Sequence, residues 1–418
     1  MTVVTKVTLL VLLVVGALAL PALAQDGERI RGQLTADDEG VPGVEIDVAT
    51  LDGDPVGTGI SDEEGEWFVD LPGPDTYQVT INVDTLPGGV SLRDPERTTL
   101  EIRVGEGSTS TALFALGERE DTRPLLIQRL AQSSVNGLKF GLIIAMTAIG
   151  LSLIFGTTGL INFAHGDMVA MGAFIALFIN TVLGIHLVPA LLIAIVIGAA
   201  IAGAIDRGIW RPLRRRKTGL ISMLVISIGL AFVIRHVILF QFGGTRRPYH
   251  DYTLQTALNF GPVRLQPVEM WVMGLSVTIL VAVALMLTHT RLGKGMRAVA
   301  DNRDLAESSG IDVERVILSV WILGGGLTTV GGVFLGMIES VDYLMGFRLL
   351  LLMFAGVILG GLGTAYGAML GSIIVGLISE VSTVWFSSQI KYVWALAVLI
   401  IILLVRPQGL LGQKERIG

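Results

Sequence analysis

From Leu138 onward the chain repeats one pattern: apolar runs of roughly 17–25 residues, the length at which a helix crosses the hydrocarbon core of a bilayer. They lie near 138–158, 167–184, 187–205, 219–241, 267–289, 316–337, 347–362, 365–385 and 391–405. The continuous run 346–379 is too long for one span, and Gly360-Gly361-Leu362-Gly363 divides it. With 52% hydrophobic residues, 16% charged residues and a mean hydropathy of +0.69, the 418-residue chain has too little polar sequence for a single soluble domain of this length. The sequence predicts a polytopic α-helical membrane protein of eight or nine spans. A broken or re-entrant segment would give the lower count.

The front of the chain is different. Residues 1–24 carry Lys6, an apolar run from Val7 to Leu20, and Ala22-Leu23-Ala24 before Gln25. This is the layout of a secretory signal peptide, with an uncleaved anchor helix as the alternative. Gln25 to Arg123 holds 23 acids and 7 bases, whereas Pro124 to Gly418 holds 13 acids and 22 bases. Such a split assigns the two parts to different environments. Between 27 and 118 apolar residues alternate with polar ones, as in Val44-Glu45-Ile46-Asp47-Val48 and Tyr77-Gln78-Val79-Thr80-Ile81. Turn residues separate these runs, so about seven strands form a small antiparallel β-sandwich, expected outside the cytoplasm. The acidic turn Asp62-Glu63-Glu64 is either a solvated face or a calcium site. The expected domains are thus a signal peptide (1–24), an extracytoplasmic β-sandwich (25–120), a linker (121–137) and a transmembrane domain (138–418).

Orientation follows from the bases. With the sandwich outside, fourteen Lys and Arg residues fall in inner loops (Arg207 to Lys217, Arg291 to Arg315, and the C-terminal tail) and five in outer loops. A basic cytoplasmic face agrees with the orientation the signal imposes, and puts the C-terminus in the cytoplasm.

Two stretches stand out within the helical part. Gly159 to Phe174 reads GLINFAHGDMVAMGAF, a polar break inside apolar sequence. Irregular backbone survives at membrane depth only where protein or a water-filled cavity covers it. A helix starting at Asp167 or Met168 would aim its free N–H groups at the break. Asn162, Phe163, His165 and Gly166 are therefore candidates for lining a substrate path; the alternative is that Asn162 and His165 only cap the interruption. Residues 290–315 form the longest inner loop, and 296–308 has the composition of a short amphipathic helix stopped by Gly310. Gly363, Gly367 and Gly371, four apart, are expected to share a helix-packing face, as are Gly332 and Gly336.

Some classes drop out. There is no cysteine, no phosphate-cradling GxxxxGK[ST] loop, no zinc-type histidine pair and no acid/base or nucleophile constellation. Neither an enzyme, a cofactor protein nor a nucleic-acid binder is indicated. A passive channel or a membrane-tethered adhesion protein remains as a rival class, although one anchor helix would serve adhesion.

The motifs also carry a resemblance. GLSLIFG followed by GLINFAHGDMVAMGAF, then RLGKGMRAVADNRDLAESSGI, VILGGLGTAYGAMLGSIIVGLISE and LVRPQGLLG, resemble in order the H-type permease subunit of branched-chain amino acid ABC transporters, over essentially all of 135–418. The resemblance implies a bacterial-type cytoplasmic membrane location and a second, homologous permease subunit. It further implies two cytoplasmic ATPase subunits, an external solute-binding protein and surrounding lipid. It also implies that Gly293, Arg297, Ala298, Asn302, Ala306 and Gly310 carry an ATPase-docking pattern, in which Arg297 and Asp301 are the charges whose reversal tests docking. Permeases for urea or short amides share much of these motifs. The front segment GQLTADDEGVPGVEIDV with GTGISDEEGEWFVDLPGPDTYQVTI resembles carboxypeptidase-regulatory-like (transthyretin-like) domains, which are not part of the ordinary permease pattern.

Overall fold

The computed structural model describes residues 28–36, 39–92, 97–105, 108–117, 126–252, 255–405 and 408–411. The expected signal peptide (1–24), the front of the expected linker and the last seven residues lie outside them. The described residues divide into two compact units, one β and one helical.

Among its described residues the β unit has nine strands: β1 (Arg29–Gln33), β2 (Thr35–Ala36), β3 (Glu39–Gly40), β4 (Glu45–Thr50), β5 (Pro55–Ile60), β6 (Glu66–Asp70), β7 (Thr76–Ile81), β8 (Thr99–Arg103) and β9 (Thr109–Thr111). They form a four-stranded sheet in the order β5-β4-β7-β8, a three-stranded sheet β6-β1-β9 and the small pair β2-β3. Period-two burial makes one core of the inner faces. Ile46 and Val48, Trp67 and Val69, and Tyr77, Val79 and Ile81 point inward while their neighbours face out. The sandwich is not wholly antiparallel as expected: β1 and β9 pair in parallel, Arg29 opposite Thr109. The acidic turn is held by its own chemistry. Asp62 Oδ1 accepts the N–H groups of Glu64 (3.1 Å) and Glu66 (2.7 Å), and Gly65 closes the turn at φ +77°.

The helical unit comprises α1 (Leu126–Thr158), α2 (Ala164–Thr181), α3 (Leu187–Ile205), α4 (Leu220–Phe242), α5 (Pro267–His289), α6 (Arg291–Asp301), α7 (Arg303–Ser308), α8 (Val313–Glu339), α9 (Met345–Gly360), α10 (Ala365–Val381) and α11 (Lys391–Val405). A π-helical turn (Asp206–Trp210) and Arg211–Arg215 extend α3, and a short hairpin, β10 (Leu258–Phe260) with β11 (Val263–Leu265), joins α4 to α5. Among the described residues eight helices are long and apolar enough to cross a membrane, and α9 is a shorter apolar helix. The chain is thus a polytopic helical membrane protein with an N-terminal all-β domain.

Lipid supplies no hydrophobic drive between helices, so they associate where small residues let backbones touch. Gly376 of α10 sits against Gly141 of α1, Gly150 of α1 against Gly324 of α8, and Gly332 of α8 against the backbone of Val169 in α2. At each of these an added Cβ would fall within 3.0 Å of the facing backbone. Gly367 and Gly371 face Gly360 and Gly356 of α9 in the same way. Gly363 does not share their face. It precedes α10 in the turn after Gly361, with φ +80°, because two helices cannot reverse direction there without left-handed residues.

Other boundaries also differ from expectation. The segment read as a linker is helical from Leu126, with its polar side chains engaged: Arg129 donates to Val384 O (2.7 Å) and Gln132 exchanges hydrogen bonds with the Arg264 backbone. The single helix expected over 296–308 is two helices. The backbone of Asn302 is extended there (φ −156°), and its side chain caps α7 by accepting Leu305 N–H (2.9 Å).

Candidate functional site

The polar break is a tight connection between α1 and α2. Gly159 takes φ +69° to turn the chain out of α1. The carboxamide oxygen of Asn162 accepts Ala164 N–H (3.1 Å), which starts α2 at Ala164, three residues earlier than expected. The hydroxyl of Ser227 in α4 accepts Phe163 N–H (3.1 Å) and lies 3.3 Å from the carbonyl of Ile161. The imidazole of His165 is fully buried and donates from Nε2 to the carbonyl of Thr147 in α1 (2.9 Å). Gly150 leaves the room for that ring. Asn162 Nδ2 and His165 Nδ1, both buried, have no hydrogen-bond partner among the described residues. Gly166 meets Gly346 of α9, where an added Cβ would lie 2.5 Å from the Gly346 carbonyl oxygen.

Beside the break lies an open-sided cavity of about 300 Å³, at the lower end of the size range of small-molecule pockets, with Ile161 and Leu362 exposed in its wall. Its wall is wholly apolar and includes Phe155, Ile161, Phe163, Leu224, Phe354 and Leu362. The rings of Phe163 and Phe354 pack against each other in that wall, their centres 5.2 Å apart. One turn beyond Phe163 on α2 is Asp167, fully buried. Both its carboxylate oxygens accept from Arg235 of α4, at 2.9 Å from Nε and 3.0 Å from Nη2. The guanidinium also lies over the ring of Phe347 in α9, 4.5 Å from its centre. Charges this deep in a helical bundle persist only when paired.

The segment 291–310 folds back on the end of α5. Thr290 Oγ1 accepts Gly293 N–H (3.0 Å), and a Cβ on Gly293 would lie 2.3 Å from the Met286 carbonyl oxygen. Met296, Val299 and Ala306 are buried, whereas Ala300 and Leu305 are exposed. Arg297, Asp301 and Asn302 are also exposed, Ala298 is half-buried, and Gly310 ends the segment at φ +83°. Glu314, in the first turn of α8, pairs with Arg303 (3.5 Å), Arg211 (3.1 Å) and Arg214 (3.3 Å). Arg214 in turn binds the buried Asp206 in the π turn (2.7 Å), and Trp210 stacks on Trp321 of α8. A second set of ion pairs marks the far end of α8: Lys391 with Glu339 and Glu380, Arg348 with Asp342, and Lys139 with Glu269. Glu314 and Glu339 are about 38 Å apart along that axis at 1.5 Å per residue, the thickness of a bilayer with part of its interface.

The family described as "Branched-chain amino acid transport system / permease component" matches residues 133–405. The chain belongs to that family. Among curated relatives, this permease is 29% identical over 304 residues to the high-affinity branched-chain amino acid transport system permease protein LivH of Escherichia coli, covering 68% of the present chain and 96% of the relative. It is 29% identical to the corresponding protein BraD of Pseudomonas aeruginosa (69% and 98% coverage). It is 27% identical to the ribose import permease protein RbsC of Escherichia coli (61% and 76%). No solved structure gives a significant match.

The structure of the permease brings Asn162, Phe163, His165 and Gly166 together at one connection, and places 293–310 at the end of the bundle carrying Arg211 and Arg214. It adds residues that sequence reasoning passed over. Arg235 was a lone base inside the apolar run 219–241, and a buried charge demands a partner. Ser227 carried no such signal, since a single serine in a membrane helix commonly bonds its own backbone.

Proposed function

We propose that this chain is the membrane-spanning permease of an ATP-driven importer of branched-chain amino acids. It pairs with a second, homologous permease subunit, two cytoplasmic ATPase subunits and an external solute-binding protein. The observation that carries the substrate class is the wholly apolar cavity beside the break between α1 and α2. A branched aliphatic side chain satisfies such a wall by contact alone. Ribose or urea would enter it at the cost of unreplaced hydrogen bonds to water, which disfavours both readings.

The coupling face in this reading is α6 with α7, facing the cytoplasm. Two features support it. The rigid fold-back at Gly293 fixes the pair against α5, and the exposed Leu292 and Leu305 leave apolar surface for a partner. The excess of Lys and Arg at Arg207 to Lys217 and Arg291 to Arg315 supports the same orientation. The β domain, exported behind the segment 1–24, then faces the exterior, where it meets the binding protein or the cell envelope.

Labelled leucine uptake in cells that depend on this chain tests the reading. ATP-dependent leucine uptake that vanishes with the chain is expected; uptake of urea or ribose alone would defeat it. Deleting 25–120 is expected to weaken use of the binding protein, and unchanged uptake with unchanged binding-protein affinity would remove that role.

A further inference from the structure

The cavity and the Asp167–Arg235 pair lie on one seam between α2, α4 and α9. Asp167 of α2 lies four residues after Phe163 at the helix N-cap, Leu224 and Arg235 are eleven apart on α4, and Phe347 and Phe354 seven apart on α9. Each spacing is close to a whole number of helical turns, so each pair shares a face. Phe163, Leu224 and Phe354 line the cavity, and Arg235 touches both Asp167 and Phe347. The apolar chamber and the Asp167–Arg235 pair therefore lie along the same seam, separated by about one turn on α2, two on α9 and three on α4.

We propose that Asp167 and Arg235 read the charged end of the substrate. The substrate carboxylate takes the place of Asp167 on the guanidinium of Arg235, its ammonium takes the freed Asp167 carboxylate, and its side chain enters the chamber. This deepens, and rests on, the reading of the chain as an amino acid permease. The physical reason is charge balance. Opening a buried ion pair strands two charges in a medium that solvates neither. A zwitterion inserted between them supplies both opposite charges at once, so no bare ion is left and the net charge stays zero. A neutral sugar or urea, a carboxylate without an ammonium, or an amine without a carboxylate leaves at least one ion uncompensated. The arginine suits the task because its planar fork binds the planar carboxylate through two parallel hydrogen bonds, as it now binds Asp167. Phe347 holds the guanidinium from the other side while its partner exchanges.

The chain contains no cysteine, so Ile161→Cys places a single thiol on the chamber wall. In membrane vesicles containing the complete transporter, the rate of maleimide labelling of that thiol is measured with leucine, with 4-methylpentanoate (no ammonium) and with 3-methylbutylamine (no carboxylate). Leucine is expected to slow labelling by about fivefold, as for a site mostly occupied, and the two analogues to leave it nearly unchanged. Adding Arg235→Lys keeps the charge but removes the fork, and is expected to abolish leucine protection while the ligand-free rate reports an intact chamber. If that variant fails to fold, the double substitution Asp167→Asn with Arg235→Gln, which leaves no bare ion, gives the same readout. Equal protection by all three compounds, or undiminished protection by leucine in the substituted chains, would overturn the proposal. So would absence of leucine protection in a chain that still carries leucine. A transporter that takes up no leucine at all refutes the transport reading instead.

Discussion

The crossing of α2 and α9 is the contact on which the break region depends most closely, and Gly346→Ala tests it. A Cβ on Gly346 would lie 2.0 Å from the carbonyl oxygen of Gly166 and 2.7 Å from its carbonyl carbon. Both obstacles are backbone, so no rotamer change relieves them, and the helices must part by about 1.4 Å to bring the closest approach to ordinary contact distance. Overpacking of this kind costs about 1–3 kcal/mol, partly offset by roughly 1 kcal/mol from replacing glycine in a helix. The net expectation is a loss of up to about 2 kcal/mol. Gly274→Ala in α5 is the matched control, because a Cβ there meets nothing within 4 Å. It is expected to be neutral or to gain up to about 1 kcal/mol. Thermal unfolding of the two purified variants in one detergent compares them directly. The displacement also separates Phe163 from Phe354 and shifts Phe347 relative to Arg235, so Gly346→Ala should lose more transport than its stability loss explains. Equal stability and equal transport in the two variants would show that α2 and α9 do not cross this closely.

Other perturbations have equally definite outcomes. Ser227→Ala removes the acceptor for Phe163 N–H at the break and should cost about 1–3 kcal/mol in thermal unfolding, the penalty for a stranded buried donor. Thr290→Ala removes the cap of α6 and should cost about 1 kcal/mol, seen as faster amide exchange across 291–301 rather than as global unfolding. Leu305→Asp puts a charge on an exposed position of α7, so chain abundance should be unchanged while ATP-driven uptake and co-purification of the ATPase fall together.

Much of this architecture was legible in the sequence because lipid imposes a strict length rule. Each apolar run became a helix, and Gly360 to Gly363 did divide the long run 346–379. Helix starts were less legible. Asn162 turns the chain just ahead of α2 and Asn302 caps α7, through side-chain contacts two and three residues on, which move or split a helix without changing its hydropathy. Gly363 shows the same limit: a four-residue spacing marks a helical face only if the helix has begun. The site was half legible. His165 and Asn162 announced themselves as polar residues in apolar sequence. Their partners did not, since Thr147 contributes only a backbone carbonyl and Ser227 is some sixty residues away in sequence. Arg235 was visible as a misplaced charge, but its pairing with Asp167 depends on how α2 and α4 pack, which no periodicity encodes.

The most direct test reconstitutes the complete transporter in sealed vesicles with its binding protein, supplies ATP on the side of α6 and α7, and follows labelled leucine against labelled ribose. Leucine accumulation that requires ATP and this chain, with no ribose accumulation, is the expected result. Leucine movement that is indifferent to ATP, or accumulation of ribose in its place, would contradict the account.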